Sequence, residues 1–432
     1  MKDASIIGHV REAAELFLQN PHVPADQNLR EFYRSRRYLG SRDRRITSDL
    51  YYGLIRSFRS FLPDVSREDY DQLIPPPELV PKILALYLTG RREFDPLSVM
   101  TGTGTVEGDL ERRGRSAENP TSVFPDSRRL AIATGFPHWF VERILQEYGL
   151  EAAPLLRSLD DKAEVALRFD PERISPDELC AQIERSSNVS AVVSDWTDQA
   201  ILLTGRATLK DLPAVRTGVA MVQDVGSQMV ALAADPSPGM SLFDACAGAG
   251  GKSFHLADLM RGEGRVIAHD IARSRLARLD ERLRVTPRAA IEIMYPDRYR
   301  SERSRLVDSF DLVLLDAPCS GTGTFRRNPG LKLTLRPTDV ERARALQWNV
   351  LEEYAPLVRT GGILVYATCS LLRDENQDMV ERFLANNPGF RIEPISPERG
   401  VPAEMIREGF LRTRPDEHGT DGFFAARLRR TS

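Results

Sequence analysis

The chain has 432 residues, a net charge of −3, 41% hydrophobic residues and 28% charged residues. This length predicts two or three domains with substantial cores. No apolar run reaches the roughly 18 residues of a transmembrane helix, and we expect no secretory signal. The four cysteines, Cys180, Cys246, Cys319 and Cys369, form no CxxC pair. We therefore expect reduced thiols in a cytoplasmic protein, with neither a disulfide framework nor a metal site.

The amino-terminal part has the periodicity of helices. Residues 6–63 have helical spacing with many charges, and the prolines at 75–77 precede an apolar helix at 83–88. Seven arginines against two acids lie in the stretch 30–45, which fits a solvated helix face as well as an RNA surface. Residues 101–120 contain few large apolar side chains, so we predict a linker there.

The middle of the chain changes to short alternating elements. A helix is predicted at 139–148, with Gly149 as its C-terminal cap. Strand-like runs at 165–169, 191–193 and 200–204 flank a helix at 179–184. This pattern predicts a small α+β domain.

A glycine-rich loop opens the carboxyl-terminal half. A predicted strand at 240–246 leads into the loop 247–253 and then into a helix at 254–260. Glycines at a strand-to-helix turn let the backbone approach a cofactor, and the helix N-terminus offers free N–H groups. The glycines crowd together before Lys252, which is not the spacing of a P-loop. NAD, FAD and S-adenosyl-L-methionine remain as candidate cofactors.

Polar side chains follow each of the later predicted strands. Asp270 follows a strand at 265–269, about 20 residues past the glycines, where an acid accepts hydrogen bonds from ribose hydroxyls. Asp297 follows a strand at 290–294 and is expected near the adenine of a nucleoside.

Two cysteines occupy equivalent positions after the last strands of this series. Cys319 lies in the motif Asp-Ala-Pro-Cys after an apolar run at 310–315, and Cys369 follows a run at 363–367. Such runs are typical of buried parallel strands, whose carboxyl ends hold the ligands of open α/β sheets. We predict a doubly wound α/β sheet of Rossmann-like type, with a helix at 375–385 and edge strands at 390–395 and 422–428.

Three ordered motifs, at 244–252, 316–320 and 367–370, resemble the RNA (cytosine-5) methyltransferases of the Sun/NOP2 family. The resemblance covers roughly residues 220–432. A looser one, to the NusB-like helical domain and small domain of its bacterial small-subunit rRNA members, covers roughly 1–220. It implies an all-α domain at 1–123, a small α+β domain at 124–219 and a Rossmann-like methyltransferase domain at 220–432. Ala249 departs from the family, which usually has proline there.

The resemblance implies that S-adenosyl-L-methionine donates a methyl group to carbon 5 of cytosine in RNA. It assigns Cys369 as the nucleophile and Cys319 as the thiol that helps release the product, although the residues alone cannot rank the two. Lys252 is the candidate cation that raises the thiolate fraction, and Asp316 can hold the cytosine amine. The residues expected around the cofactor are Cys246, Ala247, Gly248, Ala249, Gly250, Gly251, Lys252, Asp270, Asp297 and Asp316.

The expected partner is RNA, most strongly 16S rRNA, and the protein is expected to be a monomer. The net charge does not indicate a nucleic-acid binder, but a basic stretch directly follows the cysteine motif. We predict phosphate contacts from Arg326, Arg327 and Lys332. The alternatives are a tRNA methyltransferase of the same chemistry, an inactive RNA-binding assembly factor, and a nicotinamide oxidoreductase, which would leave both thiols unexplained.

Overall fold

The computed structural model describes residues 3–66, 74–91, 96–103, 126–187, 189–205 and 209–432. Its contacts divide the chain into two compact units. One unit contains Met1–Asp161 and Phe325–Asp339, and the other contains Lys162–Thr324 and Val340–Ser432. None of the described helices has the length and apolarity that crossing a membrane requires. The predicted boundary at 123/124 lies outside the described residues, and the three-domain division stays a prediction.

The first unit is helical, as the periodicity predicts. Its helices are α1 (Asp3–Gln19), α2 (Ala25–Ser35), α3 (Ser41–Val65), α4 (Val80–Arg91), α5 (Pro96–Thr103), α6 (Ser127–Thr134), α7 (His138–Tyr148) and α8 (Ala152–Ser158). The apolar faces of α1, α3 and α4 form one core, which also contains Leu333 from the later segment Phe325–Asp339. Residues 101–103 belong to α5, so the linker prediction is wrong there. Gly102 lies directly against Ile7 of α1, and this packing outweighs the weak local signal.

The second unit begins with a small antiparallel sheet in the strand order β2-β3-β1-β4. Its elements are β1 (Val165–Phe169), α9 (Pro176–Ser186), β2 (Ser190–Ser194), β3 (Thr197–Thr204), α10 (Pro213–Arg216) and β4 (Ala220–Val222). Ser175 caps α9 by accepting a hydrogen bond from the Glu178 N–H. The predicted α+β elements are confirmed.

The larger sheet follows. Its first elements are α11 (Val225–Ala234), β5 (Ser241–Asp244), α12 (Gly251–Leu259), β6 (Arg265–His269), α13 (Arg273–Val285), β7 (Ile291–Met294), α14 (Pro296–Leu306) and β8 (Phe310–Asp316). Then come α15 (Leu331–Thr334), α16 (Pro337–Tyr354), β9 (Val358–Thr368), α17 (Gln377–Asn386), β10 (Phe390–Ile392), β11 (Ile406–Arg407), β12 (Phe410–Arg412), α18 (Pro415–His418) and β13 (Phe424–Arg430).

The strand order β11-β12-β13-β9-β8-β5-β6-β7 confirms the predicted doubly wound sheet. β5 has β6 on one side and β8 on the other, all parallel. The connections therefore diverge at β5, and the carboxyl edge at such a point is where ligands of these sheets bind. β13 extends the edge antiparallel to β9. β10 ends at Ile392, short of the predicted 390–395, because Pro394 cannot donate to the ladder.

Candidate active site

Cys319 and Cys369 lie in the loops that follow the neighbouring strands β8 and β9, here called the cysteine loops. β8 and β9 are parallel, with Asp316 opposite Ala367. This register brings the Sγ atoms of Cys319 and Cys369 to 3.2 Å from each other. The loops also contact through the backbone, since the Gly323 N–H donates to the Cys369 carbonyl at 2.9 Å. A Cβ atom at Gly323 would overlap the Gly422 carbonyl, so only glycine permits this approach.

A lysine–carboxylate pair lies at the same edge of the sheet. Lys252, in the first turn of α12, donates to Asp316 Oδ2 at 2.7 Å. Its ammonium lies 5.2 Å from the centre of the Phe423 ring. Burial disfavours the charged lysine, but the Asp316 carboxylate, with a smaller contribution from Cys369, outweighs burial and raises the pKa of Lys252. Lys252 is therefore a cation at neutral pH.

One buried carboxylate holds both cysteine loops. Glu375 is fully buried and accepts hydrogen bonds from the Ser320 N–H at 2.8 Å and from the Ser370 hydroxyl at 2.5 Å. The Ser320 hydroxyl also donates to it, and Gln347 Nε2 donates at 3.0 Å. Ser320 and Ser370 directly follow Cys319 and Cys369. Glu375 thereby fixes the loops, and with them the sulfur atoms, relative to each other.

The two thiols have different electrostatic surroundings. The hydrogen bond with Cys369, together with burial and the charge of Glu375, raises the pKa of Cys319 well above its usual value. Cys319 therefore keeps its proton at neutral pH. A protonated Cys319 at 3.2 Å can donate a hydrogen bond to the Cys369 sulfur.

The glycine loop leaves open space on one face. Gly248 has a φ of +57°, and a Cβ built there or at Gly251 would meet no atom within 4 Å. Gly250, with a φ of +86°, packs against Leu279 of α13 and so orients the loop on that side. The loop between β5 and α12 can accept a ligand close to its backbone, as the glycines predict. This open backbone fits the nucleoside part of a cofactor.

Asp270 ends β6 and is tied to the glycine loop. Its carboxylate accepts from the Gly248 N–H at 3.1 Å and from the Ala272 N–H at 2.7 Å, and Arg275 lies 3.5 Å away. Ile271, the next residue, is 79% exposed. Ile271 was not among the expected cofactor residues, and its only sequence signal is that it is an apolar residue directly after the acid that ends this strand.

The remaining predicted cofactor residues differ in accessibility. Cys246 and Ala247 continue from β5 into the loop, where the Ala247 N–H donates to the His269 carbonyl at 2.9 Å. Burial raises the pKa of Cys246 well above its usual value, so this thiol is not a reactive one. Asp297 is exposed and ion-paired with Arg273, whereas Ala249 accepts a hydrogen bond from Arg282 at 3.0 Å.

The predicted RNA-binding cluster is not a surface of accessible charges. Lys332 is fully buried, where its ammonium donates to the Thr134 carbonyl at 2.8 Å and pairs with Asp160. Arg326 is also buried, and Arg327 is half-buried. Lys332 therefore cannot bind phosphate, and the prediction for it is wrong. Its side chain instead makes contacts inside the helical unit, with Asp160 and Thr134, which lie more than 170 residues away along the chain.

We expect Lys332→Ala to destabilise the protein by about 2–4 kcal/mol, because it empties a buried site and leaves the Thr134 carbonyl unpaired. It also removes the contact between the ammonium and the Phe136 ring at 4.0 Å. Urea unfolding measures the effect, with the exposed Lys162→Ala as the control. Equal stability of the two variants would contradict the structural role.

The pH dependence gives a second test of the same residue. Burial, opposed in part by Asp160, lowers the pKa of Lys332 to about 8. Between that value and the ordinary 10.5 the unfolded chain binds more protons than the folded one. The free energy of unfolding of the wild type should therefore rise relative to that of Lys332→Ala from pH 8 to pH 10.5.

Among the described residues, no group of three or more His, Cys, Asp or Glu side chains could hold a metal ion. The Rossmann-like sheet, with an open glycine loop after β5 and an acid after β6, defines an α/β fold of the class that binds a nucleoside-containing cofactor. The comparisons give the family. Residues 231–429 match the family described as 16S rRNA methyltransferase RsmB/F, and residues 136–210 match the ferredoxin-like domain of RsmF/B-like methyltransferases.

Curated relatives match over most of their length. A probable ribosomal RNA small subunit methyltransferase B of Bacillus subtilis is 33% identical over 70% of this chain and 68% of that protein. Its namesake in Synechocystis sp. is 32% identical over 90% of this chain and 91% of that protein. The chain belongs to the RsmB/F family of methyltransferases, and its cofactor is S-adenosyl-L-methionine. The resemblance to the Sun/NOP2 family is confirmed.

Solved structures share the fold. The crystal structure of PH0851 has a TM-score of 0.77 at 24% identity and covers 98% of this chain and 99% of that chain. A methyltransferase homolog protein from Pyrococcus horikoshii has a TM-score of 0.58 at 26% identity, over 71% of this chain and 99% of that chain. Both support the arrangement of the sheet.

Proposed function

We propose that this protein methylates carbon 5 of a cytosine in small-subunit rRNA through a covalent bond to Cys369. The observation that carries the proposal is the pair of sulfur atoms 3.2 Å apart, at the edge of the sheet where Lys252 and Asp316 pair. A methyltransferase that attacks with its own nucleophile needs one thiol to add and another group to assist release. The names of the curated relatives support small-subunit rRNA as the substrate.

The thiols divide the work. Carbon 5 of cytosine is too weak a nucleophile to accept a methyl group directly, and addition of a thiolate at carbon 6 turns the ring into an enamine. A free thiol has a pKa of about 8.5 and is mostly protonated at pH 7. The Lys252 cation and the Cys319 S–H are the groups that would stabilise negative charge on the attacking sulfur. After methyl transfer, a base takes the carbon 5 proton, and the electrons of the broken C–H bond re-form the C5–C6 double bond and expel Cys369 as a thiolate. Cys319 assists this release.

Asp316 orients the base. One of its oxygens accepts from Lys252, which leaves the other for the exocyclic amine of cytosine. Donation of a proton to the ring nitrogen of cytosine would favour attack of the thiolate at carbon 6, because it draws electrons away from that carbon. Asp316 ends β8 while Cys319 lies three residues further on, so the strand fixes the base relative to both sulfurs.

The bound cofactor supplies an electrophilic methyl group. Gly248, Gly250 and Gly251 give its nucleoside part close access to the backbone, and Asp270 accepts from the ribose hydroxyls. Ile271 and Asp297 are the residues that would lie beside the adenine. The open face of the glycine loop supports this placement.

We expect Asp270→Ala to weaken cofactor binding by about 1.5–3 kcal/mol for each hydrogen bond lost to the carboxylate. Asp270 also holds the Gly248 N–H, so the loop loses an anchor as well. Isothermal titration calorimetry with S-adenosyl-L-methionine measures the effect. Asp280→Ala, at an exposed acid on α13 that pairs with Arg284, is the matched control. A dissociation constant as low as that of the control would remove Asp270 from the site.

The function is tested by mapping 5-methylcytosine in RNA from cells with and without the gene. Loss of one modified cytosine from small-subunit rRNA supports the proposal. Loss from tRNA would favour a tRNA enzyme, and no loss from either would favour an assembly factor. The purified protein with cofactor and each RNA should reproduce the cellular result.

A further inference from the structure

A basic cleft lies beside the glycine loop, on the side of α13. It has a volume of about 520 Å³, and its walls come from α10 and β4 of the small sheet and from α12 and α13. Arg216, Arg278 and Arg282 line it, together with one acid, Glu281. Both walls belong to the same compact unit as the cysteine pair.

The arginines of the cleft differ from the others on the same helix. Of the five arginines in α13, Arg273, Arg275 and Arg284 each pair with a carboxylate. Across the described parts of the chain, Arg278 and Arg282 pair with none, and Glu281 forms no ion pair with either. Burial and the charge of Arg278 lower the pKa of Arg282. Like charges held together without an ion pair to a carboxylate are typical of a site for an external anion.

The remaining walls are apolar. Val222 and Val285 are 46% and 60% exposed, and Phe254 closes the inner side. A surface that offers guanidinium groups beside exposed apolar side chains matches a nucleotide, which carries phosphate beside a flat base. Arg282 also donates to the Ala249 carbonyl at 3.0 Å, so the cleft borders the cofactor loop directly.

We propose that this cleft binds the backbone of the RNA substrate, with Arg216 and Arg278 contacting phosphates. The proposal rests on the proposed function, since it takes the substrate to be RNA. It also supplies accessible phosphate contacts, which Lys332 cannot provide. A bound strand would pass Ala249 and so run alongside the cofactor loop.

The test compares two double variants in the full chain. Arg216→Ala with Arg278→Ala removes the cleft charges, whereas Arg284→Ala with Arg300→Ala removes two exposed arginines that pair with acids. Binding of a single-stranded oligoribonucleotide is measured by fluorescence anisotropy at several salt concentrations. We expect the cleft variant to bind about tenfold more weakly, with a salt slope smaller by about 1.4 because two phosphate contacts are lost. The control should keep the wild-type slope.

Calorimetry with S-adenosyl-L-methionine shows whether the variants keep their fold, and both should bind it like the wild type. A cleft variant with the RNA affinity and salt slope of the control would overturn the proposal. Weaker cofactor binding by the cleft variant would also overturn it, because the arginines would then act through the loop. If the wild type binds no RNA, the proposed function fails together with the cleft.

Discussion

Cys369→Ala should abolish methylation and leave no covalent enzyme–RNA complex. In the proposed mechanism Cys369, whose sulfur lies 3.2 Å from that of Cys319, attacks carbon 6, so without it no S–C6 bond forms. The measurement is transfer of labelled methyl from S-adenosyl-L-methionine to RNA, followed by denaturing gel electrophoresis. Cys180→Ala, at a thiol on α9 that packs against the core of the small sheet, is the matched control and should keep full activity.

Cys319→Ala should give the opposite picture. Attack and methyl transfer proceed, but release stalls, so a methylated RNA–protein complex should survive the denaturing gel. The double variant should form none, because attack comes first. A complex seen only with Cys369→Ala would mean that the roles are exchanged. Turnover retained in both single variants, without a complex in either, would mean that neither thiol reacts covalently.

Glu375→Gln should lower the methylation rate by about 100-fold, the order of loss that follows from misplacing reacting groups by roughly 1 Å. Its amide would offer one acceptor where the carboxylate now accepts from Ser320, Ser370 and Gln347. Glu375 is thus a positioning residue. The loss should fall on kcat, whereas the affinity for S-adenosyl-L-methionine stays unchanged.

A covalent readout separates positioning from general destabilisation. In the Cys319→Ala background, Glu375→Gln should slow the appearance of the RNA–protein complex at temperatures below the melting transition. Glu381→Gln, at an exposed acid on the following helix, is the matched control. If the RNA–protein complex forms at the same rate with Glu375→Gln as with Glu381→Gln, Glu375 does not position the thiols.

Much of the site could be predicted because strand ends carry it. The runs before Asp316 and Cys369 are long and apolar, and parallel neighbours present their carboxyl ends at one edge. Lys252 follows from the glycine loop, which the same sheet places next to β8. The 3.2 Å separation of the sulfurs, in contrast, depends on the register of β8 and β9, which the sequence does not state.

Other parts could not be read from local pattern. In the sequence, Glu375 is only an acid at the start of a predicted helix. Its role could not be predicted because its partner Ser320 lies 55 residues away. The stretch containing Arg326 and Lys332 has the same composition whether it faces solvent or a core. Whether such a charge is buried depends on partners far away in the chain, which for Lys332 are Asp160 and Thr134. The number of basic residues therefore predicted an exposed surface, although Lys332 lies in the interior.

The helical unit includes the segment Phe325–Asp339, which is synthesised much later than the rest of the unit. Residues up to Asp161 leave the ribosome well before Phe325–Asp339, which belongs to the same unit. At typical rates of synthesis the interval is on the order of tens of seconds. The helices synthesised first must therefore wait with an incomplete core, to which Leu333 still has to be added. In a growing chain, the amino-terminal unit begins to fold first but finishes only after four strands of the large sheet, β5 to β8, have been synthesised.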